Sequence, residues 1–262
     1  MSAPFQSAFV GMNYKEILLY GVYSDLRTEV ARRFLGFLWW VIDPVLYMAA
    51  FYVVFALALR QGGEDYAPFL LIGMVVWKWF DSTARQASVS IVGNAGLIQQ
   101  IYIPKSLLVL IQIFSNAFKF AIVLGLLLVF LLAIGKRPSL HWLALLPVIL
   151  TQLYLVTAVG LLLAGIIPLA QDFKQVVDNL LMVMMFLSGI FFTAERMPDS
   201  LRFAFELNPM VVLIQAFRSI LLHNQWPDFS HLLYVIMVAT PLLAFAVLFI
   251  RRNERRYPKL ML

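Results

Sequence analysis

Charged residues interrupt the apolar runs of this chain at positions where they could act on a ligand. Lys78, Asp81 and Arg85 follow one another at i, i+3 and i+7, and Lys119 lies in the middle of another apolar run. On a helix, the first three share one face, with the carboxylate within reach of both cations. A charge at the centre of a membrane helix costs about 2.5–3.5 kcal/mol of insertion free energy, so these residues need a structural or a functional reason. Two interpretations stay open. In the first, the residues form an internal ion cluster or the cations extend towards a membrane interface. In the second, they form a basic patch beside a path for an anionic lipid or polymer.

A second candidate group is an aromatic stripe in the first long apolar run. Trp40, Asp43, Tyr47, Phe51 and Phe55 recur at helical spacing, close to one face. Rings with polar tips and a carboxylate could form a wall on which sugars stack and hydrogen-bond. Aromatic residues of membrane helices more often face lipid or the interfacial belts, so this stripe also has two interpretations.

Residues for catalysis or metal binding show no recognisable motif. His141, His223 and His231 are scattered, and the sequence contains no H-E-x-x-H. Carboxylates inside the apolar runs are single, so they offer no acid–base pair. The G-x-x-x-x-G-K-S/T loop that binds nucleotide phosphates is also absent from the sequence. We therefore expect a transport subunit with no catalytic residue, metal or cofactor, and a partner chain that binds any ATP and Mg²⁺.

The elements that position these residues follow from the composition. Hydrophobic residues make up 62% of the 262 residues and charged residues 13%, against about 25% charged in a typical soluble domain. A helix needs about 20 apolar residues to cross a bilayer. Six stretches meet this requirement, so the sequence predicts an all-α integral membrane protein with spans at 38–59, 67–92, 107–134, 141–168, 176–192 and 231–250.

The distribution of positive charge predicts the orientation of these spans. With both termini in the cytosol, eleven Lys and Arg residues fall on the cytosolic side and six on the other side, as the positive-inside rule requires. Lys136 and Arg137 are a local exception. The net charge of +6 is then explained by topology and contact with anionic lipid, and nucleic-acid binding is not expected.

The chain divides into an N-terminal segment at 1–36, a transmembrane domain at 37–250 and a basic cytosolic tail at 251–262. The N-terminal segment is predicted to contain an interfacial amphipathic helix. Its apolar stripe consists of Leu18, Val22, Leu26, Val30 and Phe34.

Two connections are predicted to contain short helices. After the break at 93–96, residues 97–103 could form a short amphipathic helix that Pro104 ends. The loop at 193–228 is long for a connector. Within it, Asn208 and Pro209 supply an N-cap and an N1 proline for a short re-entrant or interfacial helix.

Three motifs, taken in order, resemble the permeases of ABC-2 type exporters. The first is RFLGFLWW at 33–40, followed by Asp43 and Pro44. The second is GNAGLI at 93–98 with YIPK at 102–105, which resembles the G-N-A-x-L-I…F-P-R/K segment of the subgroup that exports O-antigen, capsular polysaccharide and teichoic acid. The third is LNP at 207–209, followed by Ile214, Phe217-Arg218 and Leu221-Leu222, which is similar to L-N-P…I…F-R…L-L of that subgroup.

This resemblance implies a half-transporter of the bacterial inner membrane. Such a permease forms a homodimer, pairs with two separate ATPase subunits and moves a lipid-linked polysaccharide through the dimer interface, with periplasmic and outer-membrane export proteins as optional further partners. The aromatic stripe and the four charged residues would line the substrate path, between spans one and five.

The resemblance also implies roles for the short helices. Residues 97–103 would be a coupling helix, and 199–222 would form periplasmic gate helices. The ATPase contacts would be Leu97, Gln100, Ile101, Ile103, Pro104 and Asp172, and the gate residues would be Asn208, Pro209 and Arg218. The position after Leu-Ile, which is often basic in the family, is Gln99-Gln100 here.

Two other functions remain open at this point. An ABC-2 exporter of drugs or lipids would have the same fold. A membrane enzyme acting on polyprenyl phosphate would need a cluster of acidic, histidine or arginine residues at one membrane face.

Overall fold

The computed structural model describes residues 13–32, 36–53, 66–100, 103–193 and 198–260, and these residues contain helices and connecting turns without a β-strand. The prediction of an all-α fold is therefore confirmed. Short 3₁₀ helices occupy Gly36–Leu38 and Leu140–Ala144. The described α-helices are α1 (Tyr14–Arg32), α2 (Trp39–Tyr52), α3 (Tyr66–Ser88), α4 (Ser90–Gly93), α5 (Ala95–Gln100), α6 (Lys105–Ala133), α7 (Leu145–Ile166), α8 (Phe173–Phe186), α9 (Asp199–Glu206), α10 (Pro209–Leu221), α11 (Phe229–Asn253) and α12 (Tyr257–Leu260).

Three of the predicted spans correspond to helices that are long and apolar enough to cross a membrane. They are α6, α7 with its preceding 3₁₀ turn, and α11. By contrast, α8 has 14 residues, or about 21 Å at 1.5 Å per residue. The chain leaves the helix after Phe186, although the sequence predicts a span that continues to residue 192. The described part of α2 also has 14 residues, and α3 carries three charges among its apolar residues.

Helix α3 lies at the centre of the bundle. It packs against α2, α6, α7, α8 and α10, and it is buried on most sides, with Leu70, Ile72, Val76 and Ala84 fully inaccessible. A helix that is apolar nearly all round is expected in such a position. The central placement holds the charged face of α3 against its neighbours instead of leaving it in lipid.

The C-terminal end of α6 is defined by local hydrogen bonding. Gly135 has φ of 87°, a conformation that glycine adopts at little cost. Its N–H donates to the Leu132 carbonyl and the Lys136 N–H donates to the Leu131 carbonyl, both at 3.0 Å. This Schellman arrangement satisfies carbonyls of the last helical turn and turns the chain back towards α7.

Helix α1 packs along α6. Ile17 and Gly21 are buried at the contact, and Gly21 lies so close to Ile111 that a side chain there would displace it. One turn later, Asp25 Oδ1 accepts a hydrogen bond of 3.0 Å from Gln112 Nε2. The contact face of α1 therefore continues from apolar residues into hydrogen-bonded polar ones.

This face differs from the predicted amphipathic stripe. The predicted stripe begins one residue later, at Leu18, and its member Val30 is 37% exposed; Phe34 lies outside the described residues. The offset arises because the prediction followed apolar residues alone, whereas the polar Asp25 and Glu29 both bind side chains of α6. A carboxylate that has a hydrogen-bond or ion-pair partner can lie in a packing face, just as an apolar residue can.

The loop predicted at 193–228 contains the two short helices α9 and α10. Ten of the thirteen residues of α10 are buried, in contact with α3, α7 and α11. An interfacial helix would leave one face uncovered, so this degree of burial shows that α10 is enclosed by the other helices.

Candidate functional site

A cavity of about 310 Å³ lies between α1, α2, α3 and α6. All four charged residues that the sequence singles out, Lys78, Asp81, Arg85 and Lys119, line it. The structure thus brings the α3 triad and the charge on α6 to one place, which periodicity within single helices cannot show. The remaining lining residues are Glu29, Trp39, Val75, Trp79, Ser82, Gln86, Asn116, Phe120 and Val123.

Arg85 is the centre of an ion-pair network at one side of this cavity. Its Nε donates to Asp81 Oδ1 at 2.8 Å, and its Nη1 donates to Asp178 Oδ1 at 2.6 Å. The second oxygen of Asp178 accepts from Lys174 Nζ at 2.7 Å. The sequence interpretation missed Asp178. The available signal was its i, i+4 spacing from Lys174 within a segment of otherwise apolar character.

Lys119 forms the second ion pair of the cavity. Its Nζ donates to Glu29 Oε2 of α1 at 2.5 Å, and the Lys119 side chain is 9% exposed. This contact lies on the same face of α1 as the Asp25–Gln112 hydrogen bond, one turn further along. Asn116, one turn before Lys119 on α6, donates to Gln86 Oε1 of α3 at 3.0 Å. Polar contacts therefore tie α1, α3 and α6 together around the cavity.

The wall of the cavity is nearly balanced in charge. It carries three cations, Lys78, Arg85 and Lys119, and two carboxylates, Glu29 and Asp81, which leaves a formal net charge of +1. Charges in a low-dielectric interior are normally paired in this way because isolated ones are costly. The geometry therefore favours the ion-cluster interpretation for Arg85 and Lys119.

Aromatic residues that the sequence interpretation did not select also reach this cavity. Trp39 and Trp79 line it together with Phe120. The Trp79 and Phe120 rings are stacked, with centroids 4.0 Å apart and an angle of 12° between their planes. The cavity thus combines ionic groups with ring surfaces, a combination suited to ligands that carry both sugar and phosphate groups.

The predicted aromatic stripe belongs to α2. Trp40, Asp43, Tyr47 and Phe51 are residues of this helix, but their side chains, and the whole of Phe55, lie outside the described residues. Their assignment to a substrate path remains a prediction. Among the residues that the structure describes, no cluster of three His, Cys, Asp or Glu residues could hold a metal ion.

The predicted coupling segment begins with α5. Gln99 and Gln100 are exposed, and Leu97 is half-buried against neighbouring clusters. Ile103 is buried with Ile17 and Leu107, so it fixes this segment to α1 and α6 and leaves no surface for a partner. Three further predicted contacts have different positions: Pro104 immediately precedes α6, Asp172 is exposed just before α8, and Ile101 lies outside the described residues.

At the opposite end of the bundle, Asn208 and Pro209 begin α10 as the sequence predicts. Asn208 Oδ1 accepts from the Met210 N–H at 3.0 Å, and Pro209 occupies the first turn. The Asn208 side chain also donates through Nδ2 to the Leu187 carbonyl at 2.9 Å. One residue therefore caps α10 and ties it to the end of α8.

Arg218 anchors α10 from its other end. Arg218 is only 4% exposed, and its guanidinium donates to the carbonyls of Gly189 and Ile190, each at 2.7 Å, and to the carbonyl of Phe69 at 3.0 Å. It also stacks on the Phe69 ring, 3.3 Å from the centroid. Gly73 leaves room for it, because a Cβ there would lie 2.7 Å from Nη2. Arg218 thus joins α10, the start of α3 and the turn after α8.

Comparison with known proteins places this arrangement in a family. The sequence profile of the ABC-2 type transporter family matches residues 23–222. The chain is 28% identical over 246 residues to the O-antigen export system permease protein RfbA of Myxococcus xanthus, covering 92% of this chain and 94% of that protein. It is 26% identical over 202 residues to a protein of the same name from Klebsiella pneumoniae, covering 77% of this chain and 78% of that protein.

The family match runs from α1 to the end of α10 and so includes the charged cavity, the segment around α5 and the helix anchored by Arg218. It covers well over half of the chain. Together with the three helices that are long and apolar enough to cross a membrane, it shows that this multi-pass membrane protein belongs to the ABC-2 type transporter family.

Proposed function

We propose that this chain is the permease subunit of an ABC transporter that exports a lipid-linked polysaccharide across the bacterial inner membrane. The observation that carries the proposal is the similarity to an O-antigen export permease along 92% of the chain. The match also covers 94% of the Myxococcus xanthus protein, so the two chains align along nearly their whole lengths.

In this proposal, two copies of the chain form a homodimer with α2, α3, α6, α7, α8 and α11 as the six spans. Both termini lie in the cytosol, where the greater share of positive residues would be placed. Two separate ATPase subunits bind ATP and Mg²⁺, because the sequence lacks a phosphate-binding loop. The exported polymer would be a polysaccharide such as O-antigen or capsular polysaccharide.

The charged cavity would receive the anionic part of the substrate beside α3. Lys78 would face that anion, while Arg85 and Lys119 would keep the cavity open through their pairs with carboxylates. The rings of Trp39 and Trp79, with the stripe on α2, would offer stacking surfaces worth about 0.5–1.5 kcal/mol each. Weak, repeated contacts of this kind suit a polymer that has to slide.

Exposed residues of α5 and of the turn before α8 would contact the ATPase. The surface positions are Gln99, Gln100 and Asp172. Leu97 and Ile103 would support this surface from beneath, since they pack against the chain itself. Ile101 and Pro104 belong to the same proposed segment.

The test is recovery of an ATPase with the purified chain. The affinity-tagged protein should bring down a nucleotide-binding subunit from its host membrane. The Gln99→Glu/Gln100→Glu double variant should recover markedly less of it, because the new charges lie on the proposed contact surface. Gln225→Glu, an equally exposed position at the opposite end of the bundle, is the control. Failure of the wild-type protein to recover any ATPase would refute the proposal.

A further inference from the structure

The segment that follows α11 folds back onto the bundle. Tyr257 in α12 is completely buried, and its hydroxyl donates to the Gly165 carbonyl at the end of α7 at 3.1 Å. Burial raises the pKa of Tyr257 to about 12, so the phenol keeps its proton at physiological pH and remains a donor. Tyr257 shares an apolar cluster with Ile98 of α5 and Ile250 of α11. The tail is therefore held in a defined position beside α5.

A groove of about 970 Å³ lies between this tail and α5. Gln99 and Gln100 form one side, and Arg251, Arg252 and Arg255 come from the other. All three arginines are exposed, whereas Lys105 at the base is buried and donates to the Ile103 carbonyl at 3.1 Å. The remaining residues that line the groove are Ile98, Glu254 and Pro258.

Most of the positive charge of this groove comes from the tail, and Lys105 supplies the rest. The lining contains four cations and one carboxylate, Glu254, which gives a formal net charge of +3. Helix α5 itself has the uncharged sequence AGLIQQ. Guanidinium groups form bidentate hydrogen bonds with carboxylates, and the neighbouring glutamine amides can donate to or accept from a peptide. The lining therefore fits an acidic polypeptide segment.

We propose that this groove receives an acidic surface segment of the ATPase subunit, so that α5 and the C-terminal tail form one composite docking surface. The inference rests on the proposed function, in which α5 faces the ATPase. The arginines supply the positive charge that Gln99 and Gln100 do not carry. Tyr257 fixes the tail to the end of α7. Movement of the docked ATPase would therefore be transmitted to α7 and α11 as well as to α3 and α6.

The test measures ATPase binding to the full-length protein in nanodiscs of zwitterionic lipid. Arg251→Gln/Arg255→Gln removes two charges from the groove, and Lys136→Gln/Arg137→Gln removes two charges from the loop after α6, away from the groove. We expect the tail variant to weaken ATPase binding about tenfold or more, with a shallower dependence on salt. The control variant should bind as the wild type does.

Three results would overturn the inference or its basis. Equal ATPase affinity of the tail variant and the wild type would overturn the docking surface while leaving the proposed function intact. A defect of the tail variant that appears in vesicles with anionic lipid, and is absent in zwitterionic nanodiscs, would assign the arginines to lipid headgroups and also overturn it. Absence of ATPase binding by the wild-type protein would instead refute the proposed function.

Discussion

Arg218 is a buried cation that donates hydrogen bonds to three backbone carbonyls. Phe69, Gly189 and Ile190 belong to two separate parts of the chain, and the guanidinium joins them through donors in a fixed planar geometry. Gly189 has φ of 79°, which turns the chain sharply after α8. If α10 acts as a periplasmic gate, as the resemblance to ABC-2 permeases implies, opening would have to move α10 together with these anchors or break the hydrogen bonds.

Replacement of Arg218 by Met should therefore be strongly destabilising. Three buried carbonyls would lose donors, and we expect the free energy of unfolding to fall by about 3 kcal/mol or more. Thermal unfolding of the purified protein in detergent measures this loss. Arg202→Met is the matched control, because Arg202 forms a half-exposed pair with Glu206 and such a change should cost about 0.5 kcal/mol or less. Similar unfolding temperatures for the two variants would contradict the anchoring role.

Asp178 should be the residue on which the ion network of α3 and α8 depends. Asp178→Ala removes the carboxylate that Arg85 and Lys174 share. We expect a loss of about 1.5 kcal/mol, the lower end for hydrogen bonds to charged groups, because these side chains are partly exposed.

The Arg85→Met/Asp178→Leu double variant tests the same network by removing both charges. It should be more stable than Asp178→Ala, because Arg85 is no longer left without the Asp178 carboxylate, and less stable than the wild type, because Asp81 and Lys174 each lose a partner. Asp172→Ala, at an exposed position without a capping hydrogen bond, provides the control in the same unfolding measurement. A double variant less stable than the sum of its single changes would contradict the interpretation as a structural ion pair.

The candidate site was partly predictable at the residue scale. Lys78, Asp81, Arg85 and Lys119 could be selected because charges are rare inside apolar segments. The carboxylate partners from other helices could not be predicted, since Asp178 lies 93 residues from Arg85 and Glu29 lies 90 residues from Lys119. Pairing across such distances is decided by how helices pack, and a single sequence does not encode that packing in any local period.

At the scale of elements, helix existence was easier to predict than helix ends. Apolarity correctly located α3, α6, α7 and α11, because a long apolar run has few other stable forms. It failed at the end of α8. Ile190 and Phe191 are buried between helices although they follow the turn at Gly189, so the apolar run continues where the helix does not. Apolar residues that are buried in a turn cannot be told by composition from apolar residues that are buried in a helix.

The docking of α1 on α6 gives an element-scale prediction. Lys119→Met leaves Glu29 without its ion-pair partner, and we expect a loss of about 3 kcal/mol, as for a broken buried pair. Glu29→Leu combined with Lys119→Met should be more stable than Lys119→Met alone. A double-mutant cycle in detergent measures the coupling. Strictly additive effects would mean that this pair does not hold α1 in place.

At the scale of the whole molecule, the uncovered surface has the character expected of a subunit in an assembly. Leu180, Val183 and Phe186 on α8 are 43–58% exposed, and the proposed homodimer or the surrounding lipid would cover them. In the proposed transporter, the ATPase binds at the end where α5 and the tail meet, and the charged cavity lies beside the central helix α3. The exposed α8 surface, the ATPase-binding end and the charged cavity are linked by the long helices α6, α7 and α11.

The central claim is that this chain exports a lipid-linked polysaccharide. The most direct measurement reconstitutes the chain with its ATPase in liposomes and follows ATP-dependent transfer of the lipid-linked polymer across the bilayer. We expect transfer by the wild-type protein and its loss in Lys78→Met protein that is folded and still binds the ATPase. An ATPase-active complex that transfers a drug or a simple lipid, but not the polymer, would contradict the claim.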